Sequence, residues 1–111
     1  MEKEILIVIK SSPFRNLNYY EGLRTAAGLW DHTVKILWTG NGVFGALNKV
    51  DNTLTKKFLA DLPDIDIEMY VDRAVLEENG FNEDDLVDEV EVADNERIKE
   101  LIQGAEASLV F

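Results

Sequence analysis

The sequence predicts a single α/β domain built on a mainly parallel five-stranded sheet with helices on both faces. Three observations carry that expectation. Short apolar runs alternate with amphipathic segments along the whole chain, the rhythm of βαβ units. The first run, Ile5-Leu6-Ile7-Val8-Ile9, is five consecutive branched apolar residues, as suits a strand covered on both faces. Finally, 111 residues with 46% hydrophobic content suffice for one core and not for two.

The elements follow in order. The first strand lies within Glu4 to Ile9 and is broken by Ser11-Ser12-Pro13. From Asn16 to Asp31 the apolar residues Leu17, Tyr20, Leu23, Ala27 and Trp30 recur at spacings of three and four, the stripe of an amphipathic helix. Asn16 is its expected N-cap. Val34 to Trp38 is the second strand, closed by Thr39-Gly40-Asn41-Gly42. A short helix from Val43 to about Asn48 and a longer one from about Thr53 to Asp61 come next. Pro63 is expected to hold the following segment extended. Ile65, Ile67, Met69 and Val71 alternate with Asp66, Glu68 and Tyr70, so the third strand should have one apolar and one more polar face. Ala74 to Asn79 reads as a helix ended by Gly80. Asn82 caps a turn through Leu86, and Val90 and Val92 mark a fourth strand. Asp94 caps a helix to Gln103, with Glu96 near its positive end and Gly104 past its end. Ala107 to Phe111 is the last strand. Linkers, repeats and low-complexity segments are missing from this pattern, so one domain over residues 1–111 is expected.

Composition narrows the function classes. No apolar run approaches the roughly 18–20 residues that span a bilayer. Met1-Glu2-Lys3-Glu4 lacks the features of a signal peptide, so a cytoplasmic location is expected. The chain has no cysteine, hence no disulfide, thiolate ligand or thiol nucleophile of its own. One histidine, His32, cannot make a histidine metal cluster, and a capping or buried role is expected for it. Residues 1–60 hold 5 acidic and 8 basic groups (+3), and residues 61–111 hold 17 and 3 (−14), which together give the net −11. That field repels a phosphate backbone, so no direct nucleic-acid binding is expected. The acidic half is a solvated face, or alternatively a docking face for a basic partner.

In an open parallel sheet, ligands bind outside the carboxyl ends of the strands. Three loops should reach that rim: Lys10-Ser11-Ser12-Pro13, Thr39-Gly40-Asn41-Gly42-Val43 and Asp72-Arg73. The carboxylate of Phe111 is expected on the same edge. Gly40-Asn41-Gly42-Val43-Phe44-Gly45 matches the spacing of a dinucleotide-binding turn, but it follows the second strand and opens only a short helix. A strand-to-helix turn needing the unusual backbone angles of Gly40 and Gly42 is the simpler reading. Ser11 and Ser12 have no base within reach, since His32 belongs at the opposite end of the first helix. The pairs Asp84-Asp85 and Asp88-Glu89 lie in a polar stretch that gives them no reason to act as acid–base pairs.

The ordered features resemble the DsrE/DsrF-like family, and within it the DsrF/TusC branch, over nearly the whole chain. Ser12-Pro13 after the first strand and Tyr20-Glu21-Gly22-Leu23 in the first helix are family-like. Gly40-Asn41-Gly42-Val43-Phe44 resembles the branch's "DGVF" turn, with Asn41 in place of Asp. Met69-Tyr70-Val71 running into Asp72-Arg73-Ala74-Val75-Leu76-Glu77-Glu78-Asn79-Gly80-Phe81, and the closing Ala107-Ser108-Leu109-Val110-Phe111, complete the likeness. The resemblance implies a flavodoxin-like three-layer α/β/α domain that assembles into trimers or hexamers, with no cofactor. Members of the TusBCD and DsrEFH complexes relay persulfide sulfur, toward tRNA thiolation or in dissimilatory sulfur metabolism. In the active subunit a cysteine just past the third strand carries the sulfur, and aligned by the turn at Gly80 that position is Asp72 here. The resemblance therefore implies a non-catalytic subunit that supports a cysteine-bearing partner. Its partners would be DsrE/TusD-like and DsrH/TusB-like chains, or copies of itself. Asp72 would then be an acceptor or electrostatic tuner at a shared crevice, or only the cap of the helix that begins near Arg73. The alternative is a stand-alone module that holds an anion or nucleotide phosphate on the Ser11-Ser12 and Gly40–Val43 loops. Docking of an acidic on a basic face should weaken with salt. A salt-insensitive interface would instead use Phe14, Tyr19, Trp30 or Phe44.

Overall fold

The computed structural model describes residues 3–13, 17–48 and 56–111. Among these, strands β1 (Glu4–Ile9), β2 (Thr33–Trp38), β3 (Glu68–Asp72), β4 (Val90–Ala93) and β5 (Ala107–Val110) form one sheet. Its order is β4-β3-β2-β1-β5, and every neighbouring pair is parallel. Between the strands run α1 (Asn18–Gly28), α2 (Lys56–Asp61), α3 (Arg73–Glu78) and α4 (Asn95–Gly104). Short 3-10 helices occupy Gly40–Ala46, Leu62–Ile65 and Glu83–Asp85.

The period-2 alternation of the strands sorts the core into two layers. Ile7, Ile9, Val34, Ile36, Trp38, Met69 and Val71 pack with Tyr19, Leu23 and Ala26 of α1, Leu59 of α2 and Leu76 of α3. On the other face Leu6, Leu37, Tyr70 and Ala93 pack with Leu101 of α4, flanked by Ile98 and Ala105. The split follows from handedness. Moving from β1 to β4 the sheet grows in one direction, so right-handed crossovers place α1, α2 and α3 on one face. The chain then returns across the whole sheet to β5, and the same handedness puts α4 on the opposite face. Full burial of one Leu or Ile of these layers stabilises by about 1.5–3 kcal/mol relative to exposure.

Several local expectations change. In α1 the buried residues are Tyr19, Gly22, Leu23 and Ala26, whereas Leu17 and Trp30 are 63% and 68% exposed. The inward stripe is therefore rotated by about a residue from the one the spacing suggested. Gly22 allows this, because a Cβ there would sit 3.0 Å from the Ile9 side chain. Residue 16, the expected cap, lies outside the described residues, as do Phe14 and Thr53; Leu17 occupies the N-cap position without a side-chain bond. The helix expected from Val43 is a 3-10 helix that begins at Gly40. Pro63 does not extend the chain: it sits at the start of the Leu62–Ile65 3-10 helix, where its missing N–H costs nothing. The third strand lacks a polar face at its centre, since Met69, Tyr70 and Val71 are all buried. Gly104 is the last residue of α4 and not the one beyond it.

Candidate functional site

The carboxyl rim is ordered by the sheet. Reading across from β4 to β5, the residues that leave it are Asp94, the Asp72-Arg73 pair, Thr39, Lys10 and Phe111. The register pairs Asp72 with Ala93 and Val71 with Trp38, so Thr39 and Asp72 come off neighbouring strands at the same height. After β3 the chain turns toward α3 on one face, and after β4 toward α4 on the other. Adjacent strands whose connections diverge in this way mark the switch point, where open sheets bind ligands. Asp72 ends the strand on one side of that point and Asp94 follows the strand on the other.

Both aspartates are helix caps. Asp72 Oδ1 accepts from the backbone N–H of Ala74 at 3.1 Å, which caps α3, and Oδ2 accepts from the Thr39 hydroxyl at 2.9 Å. The carboxylate thus ties the end of β2 to the start of α3. Asp94 Oδ1 accepts from the Arg97 N–H at 2.9 Å. Arg97 then crosses to β3: its Nη2 donates to the Tyr70 hydroxyl at 2.9 Å, and its guanidinium carbon lies 5.2 Å from the Tyr70 ring centre. Its Nη1 donates to Glu100 at 3.0 Å. The Tyr70 hydroxyl, and after it Glu100, hold the guanidinium pKa above its ordinary value. One side chain therefore fixes the first turn of α4, and with it Asp94, relative to β3.

The remaining rim loops are held by backbone. Lys10 and Ser11 donate their N–H groups to the Phe111 carbonyl oxygen at 2.7 and 3.3 Å. Thr39 N–H donates to the Ile9 carbonyl at 3.1 Å, and Gly42 N–H to that of Thr39 at 3.0 Å. Gly40 has φ +53, the left-handed angle the turn required. Gly42 serves a different purpose from the one expected. Its backbone lies against the end of β1, and a Cβ would fall 2.1 Å from the Ile9 carbonyl oxygen. Asn41 is exposed and Val43 is fully buried, so only part of the loop faces outward. The buried indole Nε1 of Trp38 has no hydrogen-bond partner among the described residues.

The structure brings Asp72, Arg73 and the Gly40–Val43 turn to one stretch of rim. It leaves Ser11 and Ser12 two strands away from β3, about 10 Å at ordinary strand spacing. Arg73 points along α3 and lies 3.9 Å from Glu83. With Leu76, Glu77, Asn82, Asp84 and Val92 these two line an open groove of about 300 Å³. His32 is at the opposite end of the sheet, where Nδ1 accepts from the Lys3 N–H at 3.0 Å. Asp85 accepts from the Asn82 N–H in a capping box. Among the described residues, no group of three or more His, Asp or Glu side chains is placed to hold a metal ion, and no helix is long and apolar enough to cross a membrane. Two site residues carried no signal of their own in the sequence. Thr39 stood in a rim loop and Asp94 at a helix start, and only the strand order and register join them to Asp72.

Comparison with known proteins follows the same lines. The model of the DsrE/DsrF-like family matches residues 3–111. Among solved structures, the YchN protein from E. coli superposes with a TM-score of 0.85 at 16% identity, covering 100% of both chains. MTH1491 from Methanobacterium thermoautotrophicum, a protein of unknown function, gives 0.68 at 14% identity over 93% of this chain and 90% of its own. At these identities the likeness speaks for the fold. A search of curated proteins returned no match.

Proposed function

Because the chain belongs to the DsrE/DsrF-like family, which points to a sulfur-relay-related role, we propose that it is a supporting subunit that carries no sulfur itself. A cysteine-bearing DsrE/TusD-like chain would hold the persulfide, and this chain would form one wall of the crevice through which it is handed on. The observation that carries the reading is the pairing of a family-typical rim with a sequence that has no cysteine. Asp72 ends β3, at the position where the resemblance puts the reactive sulfur. Its two oxygens are engaged by Thr39 and Ala74. A carboxylate so held cannot bond a persulfide, but it keeps the lip of the crevice in place and presents a fixed negative charge beside it.

Physical chemistry limits what that charge can do. On transfer the acceptor's thiolate attacks the outer sulfur of the partner's persulfide, the S–S bond of the partner breaks and its cysteine leaves as a thiolate; a nearby carboxylate disfavours negative charge beside it. Asp72 on a neighbouring wall would therefore keep the persulfide anion from resting against this chain, leaving it directed at the acceptor. Gly42 and Gly45 have packing reasons to be glycine, so the glycine spacing by itself does not argue for an anion-binding module.

The test uses the chain with a cysteine-bearing DsrE/TusD-like partner and, separately, a DsrH/TusB-like one. Co-purification and single-turnover transfer of labelled persulfide from the partner to its acceptor are measured with and without this chain. A stable complex and faster transfer are expected, with label absent from this chain. The Asp72→Asn variant should keep the complex and lose part of the acceleration. A chain that binds neither partner and leaves transfer unchanged ends the proposal.

A further inference from the structure

One edge of the sheet carries charge of a single sign on both of its faces. Strand β4 pairs only with β3, so among the described residues one side of its backbone has no strand beside it. Its register sets Glu91 level with Tyr70, on the α4 face, and Val90 and Val92 level with Met69 and Val71, on the α3 face. Two hollows flank the strand. On the α3 face, Leu76 and Val92 are the apolar lining of the open groove of about 300 Å³, and Glu77, Glu83 and Asp84 its acidic lining. Arg73 is the cation there, 3.9 Å from Glu83. At the amino end of the strand, Asp66, Glu68, Glu89 and Glu91 surround Ile67 and Met69 in a second cleft, of about 380 Å³. Lys35 lies 3.7 Å from Glu68, whereas among the described residues Asp66, Glu89 and Glu91 make no ion pair.

We propose that the β4 edge is a docking site for a basic, extended segment of another protein, which adds to the sheet as an outer strand. Open backbone calls for a strand, because only a strand presents a matching row of N–H and C=O groups. Charge on an edge ordinarily keeps other strands away, but charge of one sign does so only toward partners that share it. Copies of this chain, each at −11, are repelled. The opposite sheet edge, Ala107–Val110, is uncharged and brings no cation to meet these carboxylates. A segment rich in lysine or arginine is drawn in instead. The two faces also set its pattern, since side chains of an added strand point alternately to one and the other. One set meets Val92 and Leu76 in the groove, where apolar residues fit. The other meets Glu91 and, one strand further in, Glu68, where long basic side chains fit. The four residues of β4 span about 13 Å, so the occupant is a short run in which apolar and basic residues alternate. This edge uses neither Asp72 nor any sulfur chemistry, and it stands apart from the sulfur-relay reading.

The test uses the full chain and a fluorescein-labelled peptide of about seven residues in which valine and lysine alternate. Fluorescence anisotropy should give a Kd below about 100 µM at low salt, weakened at least about tenfold at about 0.5 M NaCl. The same peptide with glutamate for lysine should not bind. An added strand uses one edge only, so N-methylation of one alternate set of peptide amides should abolish binding and N-methylation of the other set should spare it. Glu91→Lys should weaken binding about tenfold, because it removes an attraction and installs a repulsion. Glu77→Lys, on the groove side, should act in the same direction. Glu106→Lys, beside the opposite edge, changes the net charge equally and should leave binding unchanged. When the peptide binds, the amides of residues 90–93 should gain protection from hydrogen exchange and those of residues 107–110 should not. A lysine peptide that fails to bind at low salt overturns the proposal. So does binding that survives both methylations, or that Glu106→Lys weakens as much as Glu91→Lys, since the chain would then act only as a diffuse polyanion.

Discussion

Asp72 offers the sharpest measurement, because its two oxygens make separable bonds. Replacing it with Ala removes the cap on Ala74 N–H and the bond from Thr39. Loss of an N-cap costs about 1 kcal/mol. Loss of a partly buried side-chain hydrogen bond costs roughly 0.5–1.5 kcal/mol, less if the half-buried Thr39 hydroxyl recovers a water. Asp72→Ala should therefore destabilise by about 1.5–2.5 kcal/mol. Thr39→Val removes only the second bond and should cost under about 1.5 kcal/mol. Asn keeps a capping oxygen and can donate its amide to the Thr39 hydroxyl, so Asp72→Asn should stay within about 0.5 kcal/mol of the parent. Urea unfolding followed by circular dichroism gives each value, and the Asp72→Ala/Thr39→Val cycle isolates the shared bond as a coupling of about 0.5–1 kcal/mol. If Asp72→Ala unfolds at the same urea concentration as the parent, the rim is not held by this carboxylate. The function proposed for the crevice wall would then lose its structural basis.

Three further outcomes follow from the packing. Gly42→Ala should destabilise by more than about 3 kcal/mol or prevent folding, since the new Cβ meets the Ile9 backbone oxygen at 2.1 Å and not a yielding side chain; a Tm near the parent's would disprove the close approach. Tyr19→Phe should cost about 1–2 kcal/mol in chemical denaturation, because the buried hydroxyl donates to the Gly45 carbonyl oxygen at 2.9 Å. Arg97→Ala should cost about 1 kcal/mol, discounted for its partly exposed guanidinium. It should also speed hydrogen exchange in the first turn of α4 more than elsewhere, as its bridge to Tyr70 is lost.

What the sequence disclosed, and what it withheld, divides along physical lines. The strands were legible because unbroken apolar runs such as Ile5–Ile9 have few other uses, and caps such as Asp72, Asn82 and Asp94 act within three residues of themselves. The buried face of α1 was not legible. Leu17-Tyr20-Leu23-Ala27 and Tyr19-Leu23-Ala26 both satisfy helical spacing, and what decides between them is the fit of Gly22 against Ile9, a contact between distant parts of the chain. Of the aromatic residues expected to serve an apolar interface, Tyr19 is instead 2% exposed in the core, and Phe44 packs edge-on against Phe81. Phe14 lies outside the described residues. The Thr39–Asp72 bond depends on the alignment of β2 with β3, and the neighbourhood of Asp72 and Asp94 depends on strand order. Neither property is carried by any local pattern.

The acidic half of the chain is compensated more fully at one end of the sheet than at the other. At the rim, Asp72 and Asp94 cap the starts of α3 and α4, where backbone N–H groups favour negative charge, and Asp85 accepts from the Asn82 N–H in its capping box. At the amino end of β3 and β4, Asp66, Glu68, Glu89 and Glu91 line a cleft of about 380 Å³ together with Pro63, Ile67 and Met69. Glu68 has Lys35 at 3.7 Å. Two of these acids, Asp66 (φ 63) and Glu89 (φ 71), also hold left-handed backbone. Asp66 closes a 3-10 helix, where a short polar side chain tolerates that angle. Glu89 has no such excuse, and its conformation should cost about 1 kcal/mol. Glu89→Asn relieves both strain and repulsion, and is expected to stabilise by about 1 kcal/mol. Glu89→Gln relieves the charge alone and should gain less. Glu89→Gly relieves both but loosens the unfolded chain, which offsets part of the gain. Unfolding at low and high salt separates the two causes, since screening removes the repulsion and leaves the backbone strain. If Asn and Gln stabilise equally at low salt and neither does so at high salt, strain at Glu89 contributes nothing. If Asn destabilises, the turn needs the glutamate, and this end of the sheet holds a constraint that folding alone does not explain.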